Sequence, residues 1–261
     1  MTKQINIKEA LDWYIWAGVV ETCGDFACIN EIKEESAPVK IDNKDNKDNA
    51  SICKKIENSV IKNAKDLCLN ISSLDELCKE LNNFNSCNLK NTAANTVVGE
   101  GNEKASIMFI GEAPGADEDR LGKPFVGRCG KLLDKMLLSI NINREDCYIT
   151  NILPWRPPGN RTPTDDEISI CLPFLKKQIE LIKPKIIVLL GGIALKSLMD
   201  TEDSISRTRG KWLEYNINDN DKIQVIATYH PSFLLRSSAQ KSKVWTDLLR
   251  LKNKMKELEI S

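Results

Sequence analysis

Three polar segments of the sequence carry the side chains that could do chemistry. The first is rich in glycine and holds the carboxylates Glu112, Glu118 and Asp119. The second, residues 151–161, is rich in proline and arginine, and the third contains His230, the single histidine of the chain. Carboxylates and a histidine can serve as general acids or bases. Arginine side chains can bind phosphate through two parallel hydrogen bonds.

The first segment reads GEAPGADEDRLGKPFVGRCG over residues 111–130. Gly111 and Gly115 allow backbone conformations that a Cβ atom would forbid, and Pro114 stiffens the turn, so a ligand could approach the main chain closely. Neither a P-loop nor a dinucleotide-binding glycine pattern is present. The carboxylates also fit a solvated helix start, which the helix dipole favours.

The second segment opens on Asn151 and ends in RPPGNR at residues 156–161. The two arginines and the stiff backbone fit contact with a phosphate backbone, although a rigid surface turn has the same composition. Asn151 is either an ordinary turn residue or a base reader, since its amide offers an acceptor and a pair of donors.

Two further side chains have both a structural and a functional interpretation. His230 lies between an apolar run and the helix-start dipeptide Pro231-Ser232, where a structural and a catalytic role are equally plausible. Phe125 is a core residue by its type. A phenyl ring at the mouth of a site can instead stack on a base extruded from DNA.

The elements that must position these segments alternate along the second half of the chain. Four short apolar runs predict buried strands, and helical patterns lie between them. This order predicts an α/β fold of three αβα layers around a central, four-stranded, mainly parallel sheet, with ligands bound at the carboxyl ends of the strands. The predicted strands are Ser106–Ile110, Cys147–Leu153, Ile186–Leu190 and Val225–Tyr229. The predicted helices are Gly130–Ile140, Asp165–Ile182, Gly192–Met199 and Gln240–Leu258.

The N-terminal part has a different organisation. Residues 1–32 contain an apolar stripe from Ile7 to Val20, which predicts an amphipathic helix. Residues 33–50 have the composition of a disordered linker. Residues 51–261 form the predicted domain, with its core at about 84–258, and the patterns at Cys53–Ile71 and Ser73–Leu81 predict helices that lead into it.

Charge and cysteine usage exclude some classes of protein. Lysine plus arginine and aspartate plus glutamate both number 37, which excludes a globally basic nucleic-acid coat. No apolar run could span a bilayer and no secretory signal opens the chain, so we expect a cytoplasmic protein with no membrane partner. The nine cysteines are expected to be reduced thiols, with metal ligation the special role to test.

Taken together, four motifs indicate a family. GEAPG at 111–115, PFVG at 124–127, RPPGNR at 156–161 and HPS at 230–232 stand in the order and spacing of the family 4 uracil-DNA glycosylases. The similarity extends from about Phe84 to the C-terminal helix. It implies an enzyme that acts on uracil-containing DNA, flips uracil into a pocket and hydrolyses its N-glycosidic bond without lyase activity. We expect this enzyme to be a monomer. The abasic site that remains would start base excision repair.

The resemblance also implies roles for individual residues. Glu112 matches the family's water-positioning acid and His230 its leaving-group histidine. Asn151 matches the uracil-reading amide, Phe125 the stacking ring, and Glu118 an acid near uracil C5 that helps to exclude thymine. The backbone at Ala113 and Gly115 would help to hold the base. The residues expected to contact DNA are Arg156, Gly159, Asn160, Arg161 and Ser232.

One departure from the family concerns its cofactor. Family 4 enzymes usually hold a [4Fe–4S] cluster on four cysteines, and the matching positions here are Phe84, Cys87, Trp155 and Cys171. Two of the four thiolates are missing. The chain is more similar to family members that have a tryptophan before RPPGNR and no cluster. We therefore expect no cofactor and no metal, with Cys87 and Cys171 as remnants of the ligand set. The alternative is that Cys78, Cys68 or Cys23 from the N-terminal helices completes a ligand set.

Two other functions remain open from the residues alone. Glu112, Glu118 and Asp119 could hold Mg²⁺ in a phosphoesterase whose arginines bind the phosphate. Alternatively, the chain could be a non-catalytic module that binds uracil or DNA without turnover.

Overall fold

The computed structural model describes residues 47–217 and 221–260. These residues build one mixed sheet with helices on both faces. The strands are β1 (Glu100–Gly101), β2 (Ile107–Gly111), β3 (Tyr148–Asn151), β4 (Ile186–Leu190), β5 (Trp212–Asn216) and β6 (Lys222–Thr228). The helices are α1 (Lys47–Leu69), α2 (Leu74–Asn83), α3 (Ala116–Leu121), α4 (Arg128–Ser139), α5 (Asp165–Ile182), α6 (Gly192–Met199), α7 (Ile205–Thr208), α8 (Pro231–Arg236) and α9 (Lys241–Glu257).

The sheet confirms the predicted α/β architecture and extends it at both edges. Its order is β1-β3-β2-β4-β6-β5. The four central strands are the predicted ones and run parallel to each other. β1 and β5 pair antiparallel to β3 and β6, so the sheet has six strands rather than four. The sequence analysis missed β1 because two residues carry no pattern. It missed β5 because an edge strand that is only partly buried lacks a continuous apolar run.

The central strands are apolar on both faces because both faces are covered. On one face, alternate residues such as Met108 and Ile187 pack with α2, α5 and α6. On the other face, Phe109 and Val188 pack with α4 and α9. Alternation of side chains along a strand sends neighbouring residues to opposite cores. This burial accounts for the near-continuous apolar runs that predicted β2, β3 and β4.

The helices that precede the sheet differ in detail from their prediction. α1 begins at Lys47 rather than Cys53, so residues 47–50 of the predicted linker are helical. The polar sequence of those residues gave no apolar stripe to signal this. Ser73 is the N-cap of α2, and its hydroxyl accepts from the Glu76 amide. The Glu76 carboxylate, however, accepts from the amide and hydroxyl of Ser72.

Two predictions for the N-terminal part fall on residues outside the described ranges. These are the amphipathic helix within residues 1–32 and residues 33–46 of the linker. Among the described residues, no helix combines the length and the apolar character needed to cross a membrane.

Candidate active site

The three segments that follow β2, β3 and β6 meet at the carboxyl edge of the sheet. They line a cleft of about 710 Å³. All the predicted site residues line this cleft except Arg156 and Gly159, which lie on the loop beside it. The lining residues that the sequence predicted are Glu112, Ala113, Gly115, Glu118, Phe125, Asn151, Asn160, Arg161, His230 and Ser232.

The floor of the cleft is built where β2 and β3 end side by side. Gly111 and Asn151 are partners in the parallel register of these strands. A Cβ atom on Gly111 would overlap Asn151 Oδ1 and the phenyl ring of Phe125, so only glycine fits between them. Asn151 is 4% exposed, and its Oδ1 has no hydrogen-bond partner among the described residues. A buried acceptor without a partner is suited to a ligand that donates a hydrogen bond.

Phe125 reaches this floor through a left-handed backbone conformation. Its φ is 51°, an uncommon value for a residue with a bulky side chain, and it costs about 1–2 kcal/mol. The ring is buried and its centroid lies 5.7 Å from that of His230, with the two planes inclined at 36°. Because such strain persists only where the surroundings over-determine it, this turn must be held by its neighbours.

His230 is the N-cap of α8, and its tautomer follows from its hydrogen bonds. The backbone amide of Ser232 donates to His230 Nδ1 over 3.1 Å, and the Ser232 hydroxyl lies 2.8 Å from the same nitrogen. An amide N–H can only donate, so Nδ1 must hold a lone pair, and the neutral ring carries its proton on Nε2. Burial, with a smaller effect of Arg236, lowers the pKa of His230 to about 4. The imidazole is therefore neutral at physiological pH.

Glu112 lies directly beyond β2 and is half-buried at the cleft wall. Burial raises the pKa of its carboxyl above the ordinary value of 4.5. No hydrogen bond to this carboxylate is found among the described residues. Its lone pairs can therefore accept from a water molecule or a ligand.

The other two carboxylates of the first segment are bound to the main chain. Glu118 Oε1 accepts from the amides of Val126 and Gly127, at 2.9 and 2.8 Å. Asp119 Oδ1 accepts from the amides of Ala94 and Asn95, at 2.8 and 3.1 Å. Each carboxylate therefore holds a different loop in place. In the described ranges, no group of three or more histidine, cysteine or acidic side chains is arranged to hold a metal ion.

The RPPGNR loop lies at the rim of the cleft. Arg156 Nε donates to Asn160 Oδ1 over 2.7 Å, and its Nη1 lies 3.9 Å from Asp119 Oδ2. Arg161 forms two hydrogen bonds with the Glu167 carboxylate, at 2.6 and 2.9 Å. Gly159 and Asn160 both have positive φ, so the loop turns sharply. Both guanidinium groups are thus held in place, half-buried or exposed, before any ligand binds.

The cleft also contains residues that the sequence analysis did not select. Cys129 of α4, Lys196 of α6 and Arg236 of α8 line it. Gly191, with φ of 100°, brings β4 close to His230, since a Cβ there would lie 3.1 Å from His230 Cβ. Nothing local marks these positions. The exception is Arg236, which follows His230 by six residues, so its closeness to the histidine in the sequence could have selected it.

The four positions that match the family's cluster ligands lie together, away from the cleft. The rings of Phe84 and Trp155 stack with centroids 6.4 Å apart, and Phe174 packs edge-on against Phe84 at 5.0 Å. Cys87 and Cys171 are free thiols whose interaction lowers the pKa of Cys87, while burial raises the pKa of Cys171 well above its ordinary value. Trp155 Nε1 donates to Thr96 Oγ1 over 3.2 Å. All four side chains are almost fully buried.

The fold and the cleft define a class of protein: a three-layer α/β domain with a polar binding site at the carboxyl ends of its parallel strands. Comparison with known families agrees with this class and narrows it. Residues 98–249 match the family model described as the uracil DNA glycosylase superfamily.

Similar curated proteins narrow the class of protein further. A type-4 uracil-DNA glycosylase of Archaeoglobus fulgidus is 47% identical over 169 residues, which cover 63% of this chain and 84% of the relative. One from Saccharolobus solfataricus is 41% identical over 196 residues, 73% of this chain and 90% of the relative. One from Thermotoga maritima is 43% identical over 175 residues, 66% and 89% respectively. The chain belongs to the uracil-DNA glycosylase superfamily and, within it, to the type-4 uracil-DNA glycosylases.

Proposed function

We propose that this protein is a uracil-DNA glycosylase that takes uracil out of DNA into the cleft and hydrolyses its N-glycosidic bond. The abasic site that it leaves starts base excision repair. One observation carries the proposal: in a chain of this family, Glu112, Phe125, Asn151 and His230 line a single cleft. Enzymes that act on a base inside DNA need such a pocket, because the reacting atoms are inaccessible in the stacked duplex.

The pocket reads the base through complementary hydrogen bonds. Uracil presents an N3–H donor beside the O4 acceptor, and an asparagine amide can pair with both. Asn151 Oδ1, which is buried without a partner among the described residues, accepts from N3–H. Phe125 stacks on the ring, and the backbone of Ala113–Gly115 lies along its edge. Glu118, fixed by the amides of Val126 and Gly127, occupies the wall expected near C5, where thymine carries its methyl group.

His230 stabilises the departing base. Cleavage of the C1′–N1 bond places negative charge on uracil and positive charge on the sugar. The neutral imidazole donates from Nε2–H toward uracil O2, since its Nδ1 accepts from the Ser232 amide. Because the pKa of His230 is lowered to about 4, the ring stays neutral and donates a hydrogen bond to the departing base without transferring a proton. Its contribution is electrostatic, from a donor already in place.

Glu112 acts on the opposite side of the bond. As a carboxylate, it orients a water molecule beneath C1′ and stabilises the positive charge that develops on the sugar. Water is the nucleophile, so the reaction ends with free uracil and an abasic sugar and needs no lyase step.

The loop at 156–161 and the start of α8 bind the DNA backbone. Arg156, Gly159, Asn160, Arg161 and Ser232 lie at or beside the rim of the cleft. Arg161 is paired with Glu167, so a phosphate must compete with that carboxylate or be bound jointly with it. These contacts hold the strand while the base is extruded.

The four positions that match the family's cluster ligands do not fit an iron–sulfur cofactor. A [4Fe–4S] cluster is held by four thiolates, and only Cys87 and Cys171 offer thiols here. The stacked rings of Phe84 and Trp155 occupy the remaining positions. We therefore propose that the enzyme works without a cofactor. The monomeric state and the cytoplasmic location expected from the sequence stay predictions.

A metal-dependent phosphoesterase is the less favoured alternative. Glu118 and Asp119 each bind the amides of a different loop, so these carboxylates do not converge on one ion with Glu112. A binding module without turnover is the other alternative. Both Glu112 and His230 are present in the cleft, which favours an active enzyme.

One experiment separates the three functions. The protein is incubated in EDTA with an oligonucleotide that contains a single uracil, and the product is then treated with alkali. We expect strand cleavage at the uracil position only after alkali, together with release of free uracil. Binding without release would indicate the non-catalytic module. Strand cleavage without alkali that appears only in a parallel reaction with Mg²⁺ in place of EDTA would indicate a phosphoesterase.

A further inference from the structure

The strained turn at Phe125 is held from outside the cleft by one side chain, Arg144. Arg144 begins a short 3₁₀ turn (Arg144–Asp146) just before β3. Its Nη1 donates to the carbonyl oxygen of Phe125 over 3.1 Å, and its Nη2 donates to that of Pro124 over 2.6 Å. Arg144 is not among the residues that line the cleft. It therefore contacts the backbone of the stacking residue without reaching the base.

Two carboxylates fix the guanidinium in this position. Asp134 of α4 accepts from Nη1 over 2.9 Å, and Glu100 of β1 accepts from Nη2 over 3.2 Å. Each Nη thus serves one carbonyl and one carboxylate, which uses its two protons. Partial burial raises the pKa of Glu100, but the hydrogen bonds from Lys123 and Arg144 outweigh this effect and lower it below the ordinary value. Glu100 is therefore ionised and holds Arg144 in place.

The opposite side of the same turn is held by Glu118. Its carboxylate binds the amides of Val126 and Gly127, the two residues after Phe125. Gly130 packs against the turn from a third side, where a Cβ atom on residue 130 would overlap the Phe125 carbonyl oxygen. The turn is thus clamped by a cation on its carbonyls and an anion on its amides. Such a clamp can maintain the positive φ of Phe125 without help from a substrate.

We propose that Arg144 is a positioning residue of the glycosylase, which sets the stacking ring of Phe125 in the uracil pocket by holding the carbonyls of Pro124 and Phe125. The inference rests on the proposed function, and it names a residue that acts on the base only through Phe125. Only a planar guanidinium group can hold the turn in this way, since its two Nη atoms donate to four separated acceptors that a lysine ammonium cannot reach together.

The test compares Arg144→Gln and Arg144→Lys with Lys123→Ala. Lys123 is a matched control because it also pairs with Glu100, over 2.7 Å, and no hydrogen bond from it to the Phe125 turn is found in the described chain. We expect both Arg144 variants to lower kcat/KM on uracil-containing DNA by about 10–100-fold, as small misplacements of binding groups do. The inhibition constant for free uracil should rise in parallel. Lys123→Ala should change either quantity less than about twofold.

A double-mutant cycle distinguishes positioning from general support of the fold. If Arg144 acts through Phe125, then Arg144→Gln should cost less than about twofold in a Phe125→Ala background. Independent, multiplicative losses would overturn the proposal, as would unchanged kinetics in Arg144→Gln. Should Arg144→Gln fail to fold, Arg144→Lys in the same cycle decides, because it keeps the charge that the two carboxylates require. Absence of base release by the wild-type protein would instead contradict the proposed function.

Discussion

The cleft differs from a second buried region, the junction formed by Phe84, Cys87, Trp155, Cys171 and Phe174. In the cleft, an amide oxygen lacks a partner in the described chain and Phe125 sits in a strained conformation. In the junction, aromatic rings stack, the indole N–H donates to Thr96, and the two free thiols are buried beside each other. A site that must bind keeps groups unsatisfied for its ligand. A site that must only join two parts of the chain satisfies its own groups.

This contrast bears on the proposal that the enzyme works without a cluster. The junction lies where α2 ends at Phe84 and where α5 carries Cys171 and Phe174. Apolar burial can connect such elements without any special chemistry, since it is non-directional and grows with the area removed from water. The cleft has no such substitute, because a hydrogen bond to a base edge needs a given atom at a given place. Substitutions in the two regions should therefore separate stability from catalysis.

The largest expected effect lies in the cleft. His230→Ala and Glu112→Ala should each lower base release in a single turnover on the order of 10²–10⁴-fold, the range for such acid–base and electrostatic groups. The affinity for DNA should change little, and the midpoint of thermal unfolding should fall by only about 2–4 °C in His230→Ala, which loses the N-cap of α8. Lys222→Ala, which removes an exposed ion pair with Glu214 at the edge of the sheet, is the control. A loss below about tenfold in both variants would contradict their assignment.

The junction should show the opposite behaviour. Trp155→Ala and Phe84→Ala should each lower the free energy of unfolding by about 3–5 kcal/mol, because removal of a large buried ring leaves a cavity. Urea denaturation measures this loss. The rate of base release per folded molecule should stay close to that of the wild type. A stable variant with selectively impaired catalysis would show that the junction takes part in the reaction.

Iron analysis of the same protein tests the cofactor. Anaerobically purified wild-type protein should be colourless and active. About four irons per chain, with absorbance at about 400 nm, would contradict the proposal that the enzyme has no cofactor. The double variant Phe84→Cys/Trp155→Cys recreates four thiols. Without metal, we expect it to be less stable than the wild type because it lacks both buried rings.

Asn151→Asp tests the reading of the base. A carboxylate must be protonated to donate to uracil O4, and a buried charge is unfavourable where Oδ1 has no partner within the described residues. We expect uracil release to fall about 10²-fold, equivalent to the loss of one strong hydrogen bond. Activity on cytosine should rise only slightly, since its N3 presents an acceptor. Full activity on uracil would remove Asn151 from the role of reader.

The smallest expected effect concerns pH. kcat/KM should be constant from neutral pH upward and fall about tenfold per unit once the pH drops below the raised pKa of Glu112, because the protonated carboxyl no longer accepts from water. Glu112→Gln should lack this decline and keep only a later one near the pKa of His230, about 4. A decline centred at the ordinary histidine value of 6.5 in Glu112→Gln would contradict the neutral, low-pKa imidazole.

The sequence by itself determined the chemistry and most of the architecture. The buried strands β2, β3, β4 and β6 were readable because a strand covered on both faces must be apolar throughout. The residues at their carboxyl ends were readable because this edge of a parallel sheet is where ligands bind. The family motifs then assigned Glu112, Asn151 and His230 to roles that their positions in the cleft support.

Only the tertiary structure decided which distant residues meet. The pairing of β2 with β3 places Gly111 against Asn151, and the fold brings Arg144 to Phe125 and to Glu100, 19 and 44 positions away. The close approach of the Cys87 and Cys171 thiols has the same origin. No local pattern encodes such contacts, because they depend on the order of strands in the sheet and on how the helices pack across it. The edge strands β1 and β5 escaped prediction because β1 has two residues and β5 is only partly buried, so pairing with a neighbouring strand is what defines them.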